Sequence, residues 1–241
     1  MLCICAVLVG VSKTGVLGLG ILVVPMLALG FEAMPSTGLL LPMLAVADVF
    51  AVAYYHRHAD WRLIARMLPL ALCGIAAGSV LIRFTDGVQL EVGIGLIVLG
   101  LIGVNIYLAR QSEESPRIPT HWCFALSIGF IAGLTTQLAN AAGPIIFIFL
   151  LALRYDKHAF IGTGAWYFLI LNWLKIPVFW SEGRINLESL KLDFLMCPLI
   201  IFGAVIGIYL FKRIPQKWFN ILVQFLALAA AIKLISSSFY T

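Results

Sequence analysis

Charge is what this sequence has least of. Asp, Glu, Lys and Arg make up 11% of its 241 residues, against roughly 25% in an ordinary soluble domain. With 62% hydrophobic residues, there is too little polar surface to clothe a water-soluble globule, since even a well-buried helix shows water one face. Acidic side chains are scarcer than basic ones, 11 against 16. The basic residues are scattered beside apolar runs rather than gathered in a stripe, which excludes nucleic acid as a partner and fits loop cations that orient a membrane chain.

Metal and redox chemistry lack their usual signatures. Cys3, Cys5, Cys73, Cys123 and Cys197 form no Cys-x-x-Cys and no cluster with histidine, so no metal and no cofactor is expected. All five sit in apolar surroundings and read as small buried hydrophobes. His56, His58, His121 and His158 fall near the ends of apolar segments, as do Trp61, Trp122, Trp180 and Trp218; both sets suit the membrane interface. The N-terminus carries no charged stretch followed by a cleavage site and is not read as a removable signal peptide.

What the chain does have is a succession of apolar runs of membrane-crossing length. They predict helices over 33–55, 63–83, 88–109, 158–180, 190–211 and 217–235, with two longer, less regular segments at 1–30 and 121–153. One polar linker, residues 111–120, divides the chain into a first repeat, 1–110, and a second, 121–241. Each half opens on a segment broken by glycine and proline: Gly10, Gly15, Gly18, Gly20 and Pro25, then Gly129, Gly133, Gly143 and Pro144. Each continues with a threonine beside glycine, a short polar loop, and a G-x-x-x-G pair, Gly74/Gly78 and Gly203/Gly207. Internal repeats of this kind build many transporters.

The loop cations decide how the broken segments run. If both cross fully, basic residues divide almost evenly between the two membrane faces. If both dip in and return, Arg57, Arg62, Arg66, Arg110, Arg117, Arg154, Lys157, Lys212, Arg213 and Lys217 share one face, against Arg83, Arg184, Lys191 and Lys233. The second division obeys the positive-inside rule. A straight helix over either segment would also reach roughly 45 Å, well beyond the roughly 30 Å hydrocarbon core. The expected fold class is therefore an all-α polytopic membrane protein of two inverted repeats, each a broken or re-entrant hairpin followed by three transmembrane helices.

Irregular backbone at membrane depth persists only inside protein or along a wet cavity. "GVSKTGVLGLG", Gly10–Gly20, and "GLTTQLANAAGP", Gly133–Pro144, are expected to be the two hairpin tips, with half-helix N-termini that favour an anion. Lys13 adds a full charge. The expected substrate-binding residues are Lys13, Ser12, Thr14, Gly15, Gly18, Thr136, Gln137, Asn140 and Gly143, with Thr135 as a further polar neighbour. Asp48, Asn172 and Lys175 are read as coupling or gating residues; for Asp48 a structural role, pairing with a lysine or bonding a tip, is preferred to proton coupling. "GVSKTG" lacks the ending of a phosphate loop, and "GVLGLG" follows no strand.

The lead-in "GVSKTGVLGLGILVVPMLALG", the continuation from Ser36 to Leu81, and the echo "GFIAGL…AAGPIIF…GTGAW…GRINLESL…GAVIG" resemble the sulfite exporter TauE/SafE family of membrane permeases. The resemblance covers nearly the whole chain and is strongest in the first half. It implies a multi-pass inner-membrane secondary transporter, usually an exporter, of sulfite or an organosulfonate. A coupling proton or sodium ion and an oligomer are compatible with it. The second half departs from the family's glycine-rich run at "TTQLANAAGP". Thiosulfate carriers, more distant in kind, use cysteines along their path, and Cys73 and Cys197 stand at roughly matching places here.

The expected mechanism is alternating access around a central anion. An anion channel of the same architecture is the alternative. An intramembrane enzyme is a weaker one, because it would need an oriented acid, base or nucleophile pair, and no histidine, cysteine or serine stands beside a base at membrane depth.

Overall fold

The structure, a computed structural model, describes residues 1–15, 33–82 and 122–215, with single positions at 23, 26–27, 84, 99, 217–218, 221–222, 225, 228–229 and 232. Among these residues every regular element is a helix and no strand occurs. The helices are α1 (Leu2–Thr14), α2 (Ala33–Tyr55), α3 (Trp61–Leu81), α4 (Trp122–Ala139), α5 (Ala142–Ala152), α6 (Lys157–Ser181) and α7 (Leu187–Arg213), with a 3-10 turn at His56–His58. Four of them, those of α2, α3, α6 and α7, are long and apolar enough to cross a membrane. They fall within a few residues of the predicted crossings. The runs at 88–109 and 217–235 and the linker lie outside the described residues.

Local chemistry sets the helix starts. Asp60 accepts from the amides of Arg62 and Leu63 at 3.0 and 3.1 Å and caps α3. Asn186 and Ser189 form a reciprocal capping box at the start of α7. Each spanning helix holds an internal proline, Pro42, Pro69, Pro177 or Pro198, as membrane helices tolerate when neighbours satisfy the freed carbonyl.

Both broken segments are interrupted. Helix α1 stops at Thr14, with Gly15 at its C-cap. In the second segment the chain turns at Asn140, whose φ of 51° lies in the left-handed region, where asparagine is better tolerated than most residues. The Ala141 amide reaches back to the Thr135 carbonyl at 3.4 Å, closing the end of α4. Helix α5 then runs for 11 residues, about 16 Å, roughly half of the hydrocarbon core.

The chain packs as two compact units that each draw on both sequence halves. Residues 1–59 and 161–215 form one, and residues 60–160 and 216–241 the other. In the first unit α1 lies against α7; in the second, α4 lies against α3. Glycine makes both pairings close. A methyl on Gly10 would overlap the Ile200 carbonyl and one on Gly203 the Val7 carbonyl. A methyl on Gly133 would overlap the Ala71 carbonyl and one on Gly74 the Phe130 carbonyl.

This is one register used twice. Carried along the helices, it aligns the buried face Ile64, Met67, Ala71, Gly74, Ile75 and Gly78 of α3 with Asp193, Met196, Ile200, Gly203, Ala204 and Gly207 of α7, and Pro69 with Pro198. The G-x-x-x-G pairs are thus the seats of these contacts. Cys197 falls opposite Leu68 and Cys73 opposite Phe202, so the two cysteines do not match.

Two other expectations change. Gly10 is not part of a turn: it lies inside α1, where it lets α7 approach. Cys5 is buried, but Cys3 and Cys73 are exposed, so the reading of every cysteine as a core residue does not hold for these two.

Candidate functional site

Helix α1 ends in the sequence Ser12–Lys13–Thr14, and the three side chains part company. The Ser12 hydroxyl donates to the Val9 carbonyl at 2.9 Å. The Thr14 hydroxyl lies 3.0 Å from the Gly10 carbonyl and 2.8 Å from the Ala204 carbonyl of α7. Both are buried, and their protons are occupied by backbone, which ties the helix end rather than offering donors to an anion. Tyr55 donates to the Thr14 carbonyl at 2.8 Å, satisfying one of the carbonyls a helix C-terminus leaves open.

Lys13 turns to α2. Its Nζ is 2.8 Å from Asp48 Oδ1, and Asp48 is fully buried. The Asn172 side-chain amide, on α6, donates to Asp48 Oδ2 at 2.6 Å. Lys13 Nζ also lies 4.3 Å from the ring centroid of Phe168, one turn before Asn172. Lys175 continues the same stripe of α6. It is fully buried, within electrostatic reach of Lys13 and Asp48, and its Nζ is 5.0 Å from the Phe179 ring centroid. Three helices thus enclose two lysines, one carboxylate, one carboxamide and two aromatic faces. Cation–π contact is worth more when the cation is desolvated, and a buried charge requires such company.

Lys13 does not stand at a helix N-terminus. It stands in the last turn of α1, at the end carrying partial negative charge, which favours the lysine itself. Among the described residues the half-helix N-terminus of the second segment is that of α5. Its N-cap, Ala141, supplies no side-chain acceptor, so the amides of Ala142 and Gly143 are left to other partners, the arrangement that suits an anion.

The second unit holds the other predicted polar residues. Thr135 donates to backbone within α4, with the Ile131 carbonyl at 2.9 Å. Thr136 is buried, and Gln137, fully buried, donates from Nε2 to Ser79 Oγ of α3 at 2.9 Å. Asn140 makes the turn, and Gly143 stands in the first turn of α5. In the shared register Thr136 answers to Lys13 and Gln137 to Thr14, so at this position the first unit carries a charge and the second a hydroxyl. Gly15 packs against Gly207, and Gly18 lies outside the described residues.

Sequence reading missed Tyr55, Ser79 and Phe168. Their signal is weak, since an aromatic or a serine inside an apolar helix carries no spacing of its own. Among the described residues no three His, Cys, Asp or Glu side chains converge as a metal site would require.

No curated protein and no solved structure gives a significant match to the chain. The family model for the sulfite exporter TauE/SafE matches residues 2–234, nearly the whole length, and the features that carried the resemblance, the two broken segments and the paired glycines, are those that build the packing described above. This chain belongs to the TauE/SafE sulfite exporter family, a family of membrane transporters.

Proposed function

We propose that the protein is a secondary transporter that exports a small sulfur-containing anion, such as sulfite or an organosulfonate, across the bacterial inner membrane by alternating access. The observation that carries this reading is the pairing of Lys13, at the end of α1, with the fully buried Asp48. A lysine at membrane depth costs roughly 2.5–3.5 kcal/mol on insertion scales and marks a functional site by default.

Asp48 acts as the resident counter-ion. An arriving anion offers Lys13 a second negative partner. Asn172 then keeps Asp48 hydrogen-bonded as the ammonium turns toward substrate, and on release Asp48 again compensates the empty site. Lys175, fully buried further along α6, lies within electrostatic reach of the pair. Thr136, Gln137, Asn140 and Gly143 are the hydrogen-bonding residues of the second tip, with Gly15 and Gly18 giving the first tip its close backbone.

The halves act as inverted repeats. Support comes from the positive-inside balance of the loops and from the register that pairs the first helix of one half with the second spanning helix of the other in each unit.

Reconstitution tests this. Purified protein in liposomes is expected to exchange sulfite or sulfoacetate, and Lys13→Met to abolish exchange. Vesicles that move neither these anions nor thiosulfate would refute it. Electrical currents far faster than carrier turnover would replace the carrier with an anion channel.

A further inference from the structure

The register shared by the two units exposes one residue that packing does not explain. On the buried face of α7 the position answering to Ile64 of α3 is Asp193. Ile64 is 1% exposed and Asp193 is 5% exposed. The rest of that face keeps its apolar or glycine character in both helices, so the fold holds an isoleucine at this position as readily as an acid.

Among the described residues neither carboxyl oxygen of Asp193 has a hydrogen-bond partner. Helices α1 and α2 pack on α7. Among the described residues α1 brings its amino terminus, Cys3, Cys5 and Lys13, and α2 brings Asp48, Tyr54 and Tyr55. Helix α7 itself carries Glu188, Lys191 and Cys197 near Asp193, and Tyr209, Lys212 and Arg213 in its last turns. None of them bonds the carboxyl. Lys13 is occupied by Asp48, Arg184 of the preceding loop pairs with Glu182 at 2.8 Å, and Cys197, in electrostatic reach of Asp193, bonds its backbone carbonyl at 3.5 Å.

A carboxylate removed from water without donors or a counter-charge is strongly disfavoured, and the group takes up a proton instead. A metal cation would need several oxygen ligands around it, whereas a proton needs one. We propose that Asp193 is a proton-binding site within α7 and that its protonation and release couple the transport cycle to a proton gradient. The coupling half of this inference rests on the transport reading above; the proton site itself does not.

The step is balanced as the carboxylate taking one proton from water on one membrane face and returning it to water on the other. Asp193 lies about 20 Å along α7 from Gly207, which abuts Thr14. Proton and anion therefore communicate through the interlocked α1–α7 pair and not by contact. Protonated Asp193 is neutral and lets α7 stay against α1 and α2; the charged form favours an arrangement that wets it.

The test uses the full chain and two variants, Asp193→Asn and Asp193→Ile, the second copying Ile64. Infrared spectra at neutral pH should show a protonated-carboxyl band that both variants lose. On the unsubstituted protein, dicyclohexylcarbodiimide, which reacts with protonated buried carboxyls, should modify Asp193, as located by peptide mass spectrometry, and the modification should fade as pH rises. In liposomes an imposed pH gradient should drive sulfite accumulation, and both variants should fall to the level of protein-free vesicles while keeping sulfite counterflow. A band that survives in both variants, or no carbodiimide adduct at Asp193, overturns the proton site. Gradient-driven accumulation undiminished in both variants overturns its coupling role. Wild-type vesicles that move no sulfur anion overturn the transport reading alone, and the two spectroscopic and chemical readouts still decide the proton site.

Discussion

Lys13 of α1 and Asp48 of α2 form an ion pair at 2.8 Å with the carboxylate fully enclosed. Removing one member strands the other charge, a loss of about 3–5 kcal/mol, whereas replacing both by apolar residues is often neutral or stabilising. Lys13→Met should therefore lower the thermal unfolding midpoint, and Lys13→Met/Asp48→Leu should recover it. Anion exchange should be absent from both. Exchange at the wild-type rate in the recovered double variant would remove Lys13 from the binding site.

The glycine contacts predict a matched pair of packing defects. Gly10→Leu thrusts a side chain at the backbone of α7, and Gly133→Leu does the same to α3. Overpacking of this kind typically costs about 1–3 kcal/mol, and rigid backbone on the opposing side puts these sites at the upper end. Differential scanning fluorimetry in detergent should register comparable losses for the two. Stability close to wild type in either would mean that helix pair is not in the contact described.

Asp60 predicts an acid-labile tie. Partial burial pushes its carboxyl up, but the Tyr155 hydroxyl, 2.5 Å away, and the amides of Leu63 and Arg62 outweigh this and hold it below its ordinary value. A depressed folded-state pKa gives stabilisation that is complete above the unfolded value, about 3.9, and lost as pH falls through the lower folded one. Tyr155→Phe should narrow that window by raising the carboxyl's pKa. Asp60→Asn should keep the cap but flatten the acid dependence of the melting temperature, and Asp60→Ala should cost about 1 kcal/mol more through the lost cap.

The left-handed turn at Asn140 separates geometry from chemistry. Asn140→Gly suits the φ of 51° and should leave the fold nearly unchanged, whereas Asn140→Val should lose about 1–2 kcal/mol. If the carboxamide also binds the anion, Asn140→Gly will raise the KM for exchange with no change in melting temperature. An unchanged KM would restrict Asn140 to making the turn.

Much of this was legible because it is local. Apolar runs mark α2, α3, α6 and α7, since span length depends on composition alone, and Gly143–Pro144 announces the break before α5. The C-terminal character of the Lys13 turn was not legible. Glycine spacing from Gly10 onward looks the same whether it opens a turn or admits a neighbouring helix, and only the presence of α7 against Gly10 distinguishes them. The Lys13–Asp48 pair was foreseeable as a class, though with Lys175 also available the choice belonged to tertiary packing. Asp193 gave no signal, because one acid near the start of an apolar helix looks interfacial until its burial and its Ile64 counterpart are seen side by side.

The cross-halved packing has a consequence for biogenesis. Helix α1 leaves the ribosome before the other described helices, yet the surface that fits its glycine seam, α7, is synthesised after all of them. Until α7 is made, that seam must face lipid or a chaperone. Cutting the gene within residues 111–120 would therefore yield two fragments, neither able to complete a unit. Co-expressed, they should reassemble by trading helices.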